Sequence, residues 1–200
     1  DNLSVRRAEE DRSVNDNGLQ VFGTVTKSPV ATGADLVAYS GFSSGNYLQQ
    51  PHNTDLDFGT GDFCFMFWAD VQGTTEYFLT TERNDSSLTI YGLRITHESS
   101  SVRITIMSHT GSSQASLIGS DLSGLHHICF IRQNGQLYAY FDGELDASGV
   151  SNSSSIGDTA VRIGRGTVSS FPNAGSIALL RISATAPSPE QIKYIYESEK

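Results

Sequence analysis

Two hundred residues, 38% hydrophobic and 18% charged, suffice for one hydrophobic core and carry the bias of neither a disordered chain nor a fibrous repeat. A net charge of −9 with only 13 Lys and Arg excludes a phosphate-backbone binder, and no apolar run approaches the roughly 18–20 residues a membrane-spanning helix needs. The chain opens at Asp1 with neither an initiator Met nor a charged-then-apolar leader, so it is expected to be a processed or excised piece of a longer protein.

Residues 1–16 are charged and weakly patterned and read as a lead-in segment, with Leu3, Val5 and Arg6-Arg7 as a short edge-strand candidate; one domain is expected over 17–200. From Gly18 to Lys27, Leu19, Val21, Gly23 and Val25 alternate with mostly polar residues, the period of one half-buried strand that Ser28-Pro29 ends. Short strands are predicted at Asp35–Tyr39 and Asn46–Gln50, punctuated by Gly33, Gly41, Gly45 and Pro51. The next segment, Asp62–Ala69, is apolar on both faces: Phe63, Phe65 and Phe67 point one way, Cys64, Met66 and Trp68 the other. Such a strand has to be covered on both sides or carry a functional aromatic.

Further strands are predicted at Glu76–Thr81, Ser87–Ile95, Val102–Ser108, Ala115–Ile118, His127–Arg132, Gln136–Phe141, Ala160–Ile163 and Gly175–Ile182. Asn134-Gly135 and Asp142-Gly143 are the dipeptides of two-residue type I′ hairpins. Many short strands joined by Gly- and Ser-rich turns make an all-β sandwich or barrel. The exception is Ser188-Pro189-Glu190-Gln191-Ile192, where Pro sits just inside a helix start and Ile192, Ile195 and Tyr196 follow at helical spacing. Cys64 and Cys129 lie in central apolar strands, as buried free thiols or as a cross-strand disulfide.

Three stretches in order resemble the laminin-G-like branch of the concanavalin A-like jelly rolls. They are Asn46-Tyr47-Leu48 with Leu56–Gly59 and the strand to Trp68; Leu125-His126-His127-Ile128 with Asn134-Gly135, Tyr138 and Phe141-Asp142-Gly143; and Val161–Gly164 with Gly175–Ile177, Arg181-Ile182 and Ser188–Ile192. The resemblance implies a two-sheet antiparallel sandwich with a short C-terminal helix. The stretches Asp11–Val21 and Ala38–Ser43 are also similar to segments preceding such domains in bacteriophage tail and fibre proteins. That likeness implies a virion-surface, extracellular setting, contacts with other virion chains and, by analogy with fibres, a homotrimer. The family often places an acidic calcium ligand before its Arg-Ile pair; here Ile177-Ala178-Leu179-Leu180 stands there, so no calcium or other cofactor is expected.

Laminarinase-type relatives on this fold set carboxylates on alternate positions of one strand, about 5–5.5 Å apart. No Glu-x-Asp-x-Glu occurs, Asp142-Gly143-Glu144 is a hairpin turn, and neither a Gly-x-Ser-x-Gly elbow nor a phosphate cradle around Gly164-Arg165-Gly166 has its required context. Asp55, Asp57 and Asp62 are the candidate ligands of a hard cation, or the caps of Asx turns. His126 and His127, adjacent on a strand, point to opposite faces and cannot share an ion; one is expected inside, hydrogen-bonded to backbone. A hairpin at Ser99–Ser101 would bring His97 towards His109. A saccharide needs rings to stack on and polar groups for its hydroxyls. The chain offers Tyr91, Tyr77, Trp68 and Tyr39 as rings, with Arg83, Asn84, Asp85, Arg94, His97 and Gln114 beside them. The reading is a non-catalytic module binding cell-surface glycan; the alternatives are a structural spacer between virion proteins and a polysaccharide-degrading enzyme.

Overall fold

The computed structural model describes residues 8–9, 17–30, 37–81, 83–84, 90–107, 113–166 and 171–200, with 8, 9, 83, 84, 90, 91 and 113 entering through their strand pairing alone. Two antiparallel sheets and one C-terminal helix account for the regular structure among them, as the strand count and turn chemistry require. The first sheet runs in the order β1 (Ala8–Glu9), β2 (Leu19–Phe22), β5 (Tyr47–Gln50), β15 (Val161–Ile163), β7 (Thr75–Thr80), β9 (Ile90–Glu98), β10 (Val102–Met107) and β11 (Ser113–Ile118), with β8 (Arg83–Asn84) paired to β9. The second is ordered β14 (Glu144–Ser151), β13 (Gln136–Phe141), β12 (Gly124–Gln133), β6 (Phe63–Val71), β16 (Ile177–Ser183), β4 (Val37–Ser40) and β3 (Thr26–Pro29). The Leu3–Arg7 candidate and His109 lie outside the described residues.

Strand register turns the period of two into a core. Across the first sheet Val21, Leu48, Ile163, Leu79, Ile95, Ile104 and Leu117 are aligned neighbour to neighbour, one inward row of aliphatic side chains. They meet Phe65, Phe67, Ile128, Phe130 and Ala139 of the second sheet, all at most 1% exposed. Burial of each such side chain contributes about 1.5–3 kcal/mol, which sets the sandwich's thickness and its resistance to slippage.

Both Gly-containing hairpins form as their dipeptides dictate: Asn134 and Gly135 have φ of 51° and 73°, Asp142 and Gly143 of 50° and 78°, the mirror-image turn that matches strand twist. The Gly18–Lys27 strand does not stay whole. It divides into β2 in the first sheet and β3 in the second, with the chain crossing over at 23–25. Gly23 makes the crossing possible: its φ is +64°, and a Cβ there would lie 2.1 Å from Asn46 Oδ1. That oxygen instead accepts from Thr24 N at 3.0 Å while Val25 buries between the sheets. Pro29 ends β3 at the sheet edge, where its missing N–H costs no ladder bond.

Helix α1 (Pro189–Glu199) starts at the expected Ser188-Pro189 and is closed by a capping box: Gln191 N donates to Ser188 Oγ at 3.3 Å and Ser188 N donates to Gln191 Oε1 at 2.8 Å. Its Ile192 is fully buried against Cys64, Met66, Cys129, Ile131 and Tyr140. The strand apolar on both faces is thus explained, with the first sheet over its phenylalanines and α1 over the other side. Cys64 and Cys129 are free thiols with their Sγ atoms 3.8 Å apart, and the Cys64 contact together with burial holds the Cys129 thiol well above its ordinary pKa.

Arg132 is fully buried at the end of β12, on the same face as Ile128 and Phe130. Its guanidinium donates to Gly59 O and Gly61 O at 2.7 Å each, to Ser154 O at 2.8 Å and to Asn152 Oδ1 at 2.9 Å, and stands 4.8 Å from the Phe63 ring centroid. Desolvation lowers its pKa, and these acceptors keep the charge tolerable while pinning residues 59–61 to 152–154.

Candidate functional site

Alternation that sends one row of the first sheet inward sends the next outward. Gln20, Gln49, Arg162, Thr80, Arg94, Thr105 and Ser116 are register neighbours across seven strands, a polar row about 29 Å long at ordinary strand spacing. Beside it, Tyr77, Thr96, Arg103 and Ile118 align across β7, β9, β10 and β11, and Phe22 pairs with Tyr47 across β2 and β5. Thr80, Thr96 and Thr105 are almost fully buried although they face outward, because the long neighbours on either side shield them.

Aromatic and cationic groups are held in place on this face. Arg94 Nη1 donates to Tyr77 Oη at 3.2 Å, with its guanidinium 5.9 Å from the ring centroid. Phe22 and Tyr47 stack at 4.3 Å, 13° from parallel, and Arg165 lies 4.6 Å from the Tyr47 centroid. Arg165 is fixed by donating through Nε to Gly166 O at 2.8 Å and through Nη1 to Ser44 O. Phe171, half exposed, returns beside β7, where Tyr77 N donates to its carbonyl at 3.0 Å.

A buried carboxylate fixes the loops at this end. Glu76 is fully buried and accepts from Gln72 N at 2.9 Å, Gly73 N at 2.6 Å, Asn173 Nδ2 at 2.7 Å and Ala174 N at 2.8 Å. Its charge is met by four donors, so it tethers the 72–74 and 173–174 loops rather than waiting for a ligand.

Of the ring-and-polar set expected from sequence, the structure brings Tyr77 and Arg94 together. His97 is corrected: it pairs with Val102 on the inward face, is 5% exposed, and contacts Gly73 O and Asp121 Oδ1 at 2.8 Å each, so it supports the loops. Period two from Leu93 and Ile95 already assigns it that side. Arg83 and Tyr91 pair across β8 and β9, as do Asn84 and Ile90, but their side chains, like Asp85 entirely, lie outside the described residues. Trp68 is not a sugar platform either: it lies under α1, donating to Glu199 Oε2 at 2.9 Å and stacking on Tyr196 at 5.8 Å. Tyr39 packs against the core with Lys27 Nζ 5.8 Å from its centroid.

The three aspartates do not converge. Asp57 Oδ1 faces His52 Nε2 at 2.9 Å and accepts from Asp158 N at 2.6 Å; Asp55 accepts from Asn17 Nδ2 at 3.2 Å; Asp62 accepts from Asn134 N at 2.9 Å. The Asp158 N–H and His52 hold the Asp57 pKa below its usual value. No group of three or more metal-ligating side chains occurs among the described residues.

The double histidine is divided as its parity demands, with one revision. His126 contacts Asp142 Oδ2 at 2.7 Å and Ser123 O at 3.2 Å. His127, fully buried, has no hydrogen bond on either ring nitrogen, contrary to the expected backbone bond; it sits 5.5 Å from the Trp68 centroid and 5.9 Å from that of Tyr196. Burial pushes its pKa down to about 4, against Glu199, which raises it, with Arg181 lowering and Asp142 raising it.

A laminin-G-like family model described as the concanavalin A-like lectin/glucanases superfamily matches residues 42–193. No curated protein matches the chain in sequence. Among solved structures, the receptor binding domain of botulinum neurotoxin C/D mosaic serotype superposes with a TM-score of 0.74 at 15% identity, covering 95% of this chain and 48% of that one. The binding domain of Paraclostridial Mosquitocidal Protein 1 gives 0.70 at 14%, covering 94% and 49%. A structure of botulinum neurotoxin type C, whose cell entry is described as dependent upon interaction with two ganglioside molecules, gives 0.73 at 14%, covering 97% and 50%. The chain spans about half the length of these structures, and at such identities the likeness shows the fold.

Proposed function

The chain belongs to the concanavalin A-like lectin/glucanases superfamily, and from that premise we propose that it is a non-catalytic saccharide-binding module whose ligand lies across the outer face of the first sheet. The observation that carries this reading is the row that runs through Gln20, Gln49, Arg162, Arg94 and Ser116, amides, guanidinium groups and a hydroxyl at strand positions, with the buried Thr80 and Thr105 between them as spacers. Saccharide hydroxyls need donors and acceptors of this kind, and Tyr77 and the Phe22–Tyr47 stack offer ring faces beside them. The ganglioside dependence described for the type C neurotoxin supports the same direction on a shared fold. Glycoside hydrolysis requires two carboxyl groups flanking one bond, whereas register places one carboxylate, Glu98, on this face among the described residues.

Display on a bacteriophage virion surface, in three linked copies, completes the proposal and follows the resemblance of the amino-terminal stretches to those preceding domains in tail and fibre proteins. Single sites of this open kind bind on the order of 0.1–1 mM, about −4 to −5 kcal/mol, and linking copies raises avidity by roughly 10²–10⁴. The test is a glycan array probed with the chain in monomeric and trimerised form, alongside Arg94→Ala and Tyr77→Ala. Binding strengthened by trimerisation and lost in both variants supports the proposal. No binding in either form favours the spacer reading, and release of oligosaccharides from bacterial surface polysaccharide would replace binding with catalysis.

A further inference from the structure

Four cations gather on one face of a chain whose net charge is −9. Arg162 and Arg94 flank Thr80 in the polar row, Arg103 stands beside Thr96 in the neighbouring row, and Arg165 covers Tyr47 at the same face's other end. Among the described residues, Glu98 is the one carboxylate that register places with them, and its Oε1 accepts from Thr96 Oγ1 at 2.9 Å. Arg103 donates through Nη2 to the carbonyl of Glu98 at 3.0 Å, a neutral backbone group, and its buried Nε has no partner.

Resting on the saccharide-binding reading, we infer that the ligand is an acidic glycan whose carboxylate is received by Arg103 with Arg94 beside it. The guanidinium fork matches a carboxylate with two parallel N–H···O bonds, which a neutral hydroxyl cannot reproduce. The half-buried Ser116 hydroxyl, next to Thr105 in the row, then serves the uncharged part of the sugar.

The experiment uses the full chain on an array of uronic- and sialic-acid glycans printed beside neutral glycans, followed by titration of the strongest acidic binder and its methyl ester. Acidic glycans should dominate, the ester should bind at least tenfold more weakly, and raising salt from 50 mM to 0.5 M should shrink the difference. Arg103→Gln and Arg94→Gln, with unchanged melting temperatures, should each weaken the acidic ligand about tenfold, while Lys193→Gln on α1 should leave it unchanged. Neutral glycans or esters binding as tightly as the acids would overturn this inference and leave saccharide binding standing. Failure of every glycan would overturn both.

Discussion

Acidification should loosen α1 from the second sheet, because the imidazole of His127 is buried there uncharged between Trp68 and Tyr196. A histidine in the unfolded chain takes up its proton near pH 6.5, but in the folded protein only near pH 4. The unfolded state therefore binds the extra proton first as pH falls. Stability from this group is complete above pH 6.5, declines through the window from 6.5 to 4, and changes no further once both states are protonated. The gap amounts to about 1 kcal/mol at pH 5.5 and about 3 kcal/mol at pH 4. Glu199, which accepts from Trp68 and pairs with Arg181, is the anion facing the ring, and Asp142 acts in the same sense; both already oppose the shift that burial imposes. The assay is urea denaturation at pH 7.5, 5.5 and 4 of the wild type and His127→Phe, followed by the fluorescence of Trp68, the sole tryptophan, which reports the seating of α1 directly. Carboxylate titration affects both proteins, so the difference between their pH profiles isolates His127. The variant should equal or exceed the wild type at pH 7.5, since Phe removes two unpartnered nitrogens, and its advantage should widen by about 3 kcal/mol at pH 4. Parallel profiles would refute the reasoning.

Trp68→Ala should cost about 3–5 kcal/mol, measured by denaturation, because it removes the ring stacked on Tyr196 and the bond to Glu199; Trp68→Phe, which keeps a ring, should lose less than half of that. Arg132→Leu should cost about 3–5 kcal/mol, since the carbonyls of Gly59, Gly61 and Ser154 lose their donor; a change below 1 kcal/mol would mean that water replaces the guanidinium. Melting temperatures in chelator and in excess calcium should agree within about 2 °C, because Asp55, Asp57 and Asp62 serve separate protein donors. An ion at a hundred times its dissociation constant would instead add about 2.7 kcal/mol.

Local chemistry was the readable part of this sequence. Asn134-Gly135, Asp142-Gly143 and the helix start at Ser188-Pro189 each encode their turn or element within a few residues, and each forms as read. The alternation through Leu19, Val21, Gly23 and Val25 misled because a period of two persists when a chain steps from one sheet to the other, and nothing local distinguishes the two partners. β14 escaped notice because an exposed edge strand reading Glu-Leu-Asp-Ala-Ser-Gly-Val-Ser has little apolar pattern to betray it. For the candidate face, Tyr77 and Arg94 were visible as residue types, but Gln20, Gln49, Arg162, Thr105 and Ser116 become one row only through pairings spanning up to 113 positions, Gln49 to Arg162. Buried Glu76 and Arg132 were legible in parity alone, each sharing a face with core residues of its own strand or its partner.

The aliphatic row and the polar row are alternate teeth of one comb. Slipping any of the seven strands by a single residue would drive a polar side chain into the interior and lift an aliphatic one to the surface, so the core proofreads the spacing of the outer groups. Insertions are thereby confined to the loops, while the outward teeth can be exchanged one at a time without disturbing anything beneath them. A face built this way can change its ligand by substitution in place and keep its ruler.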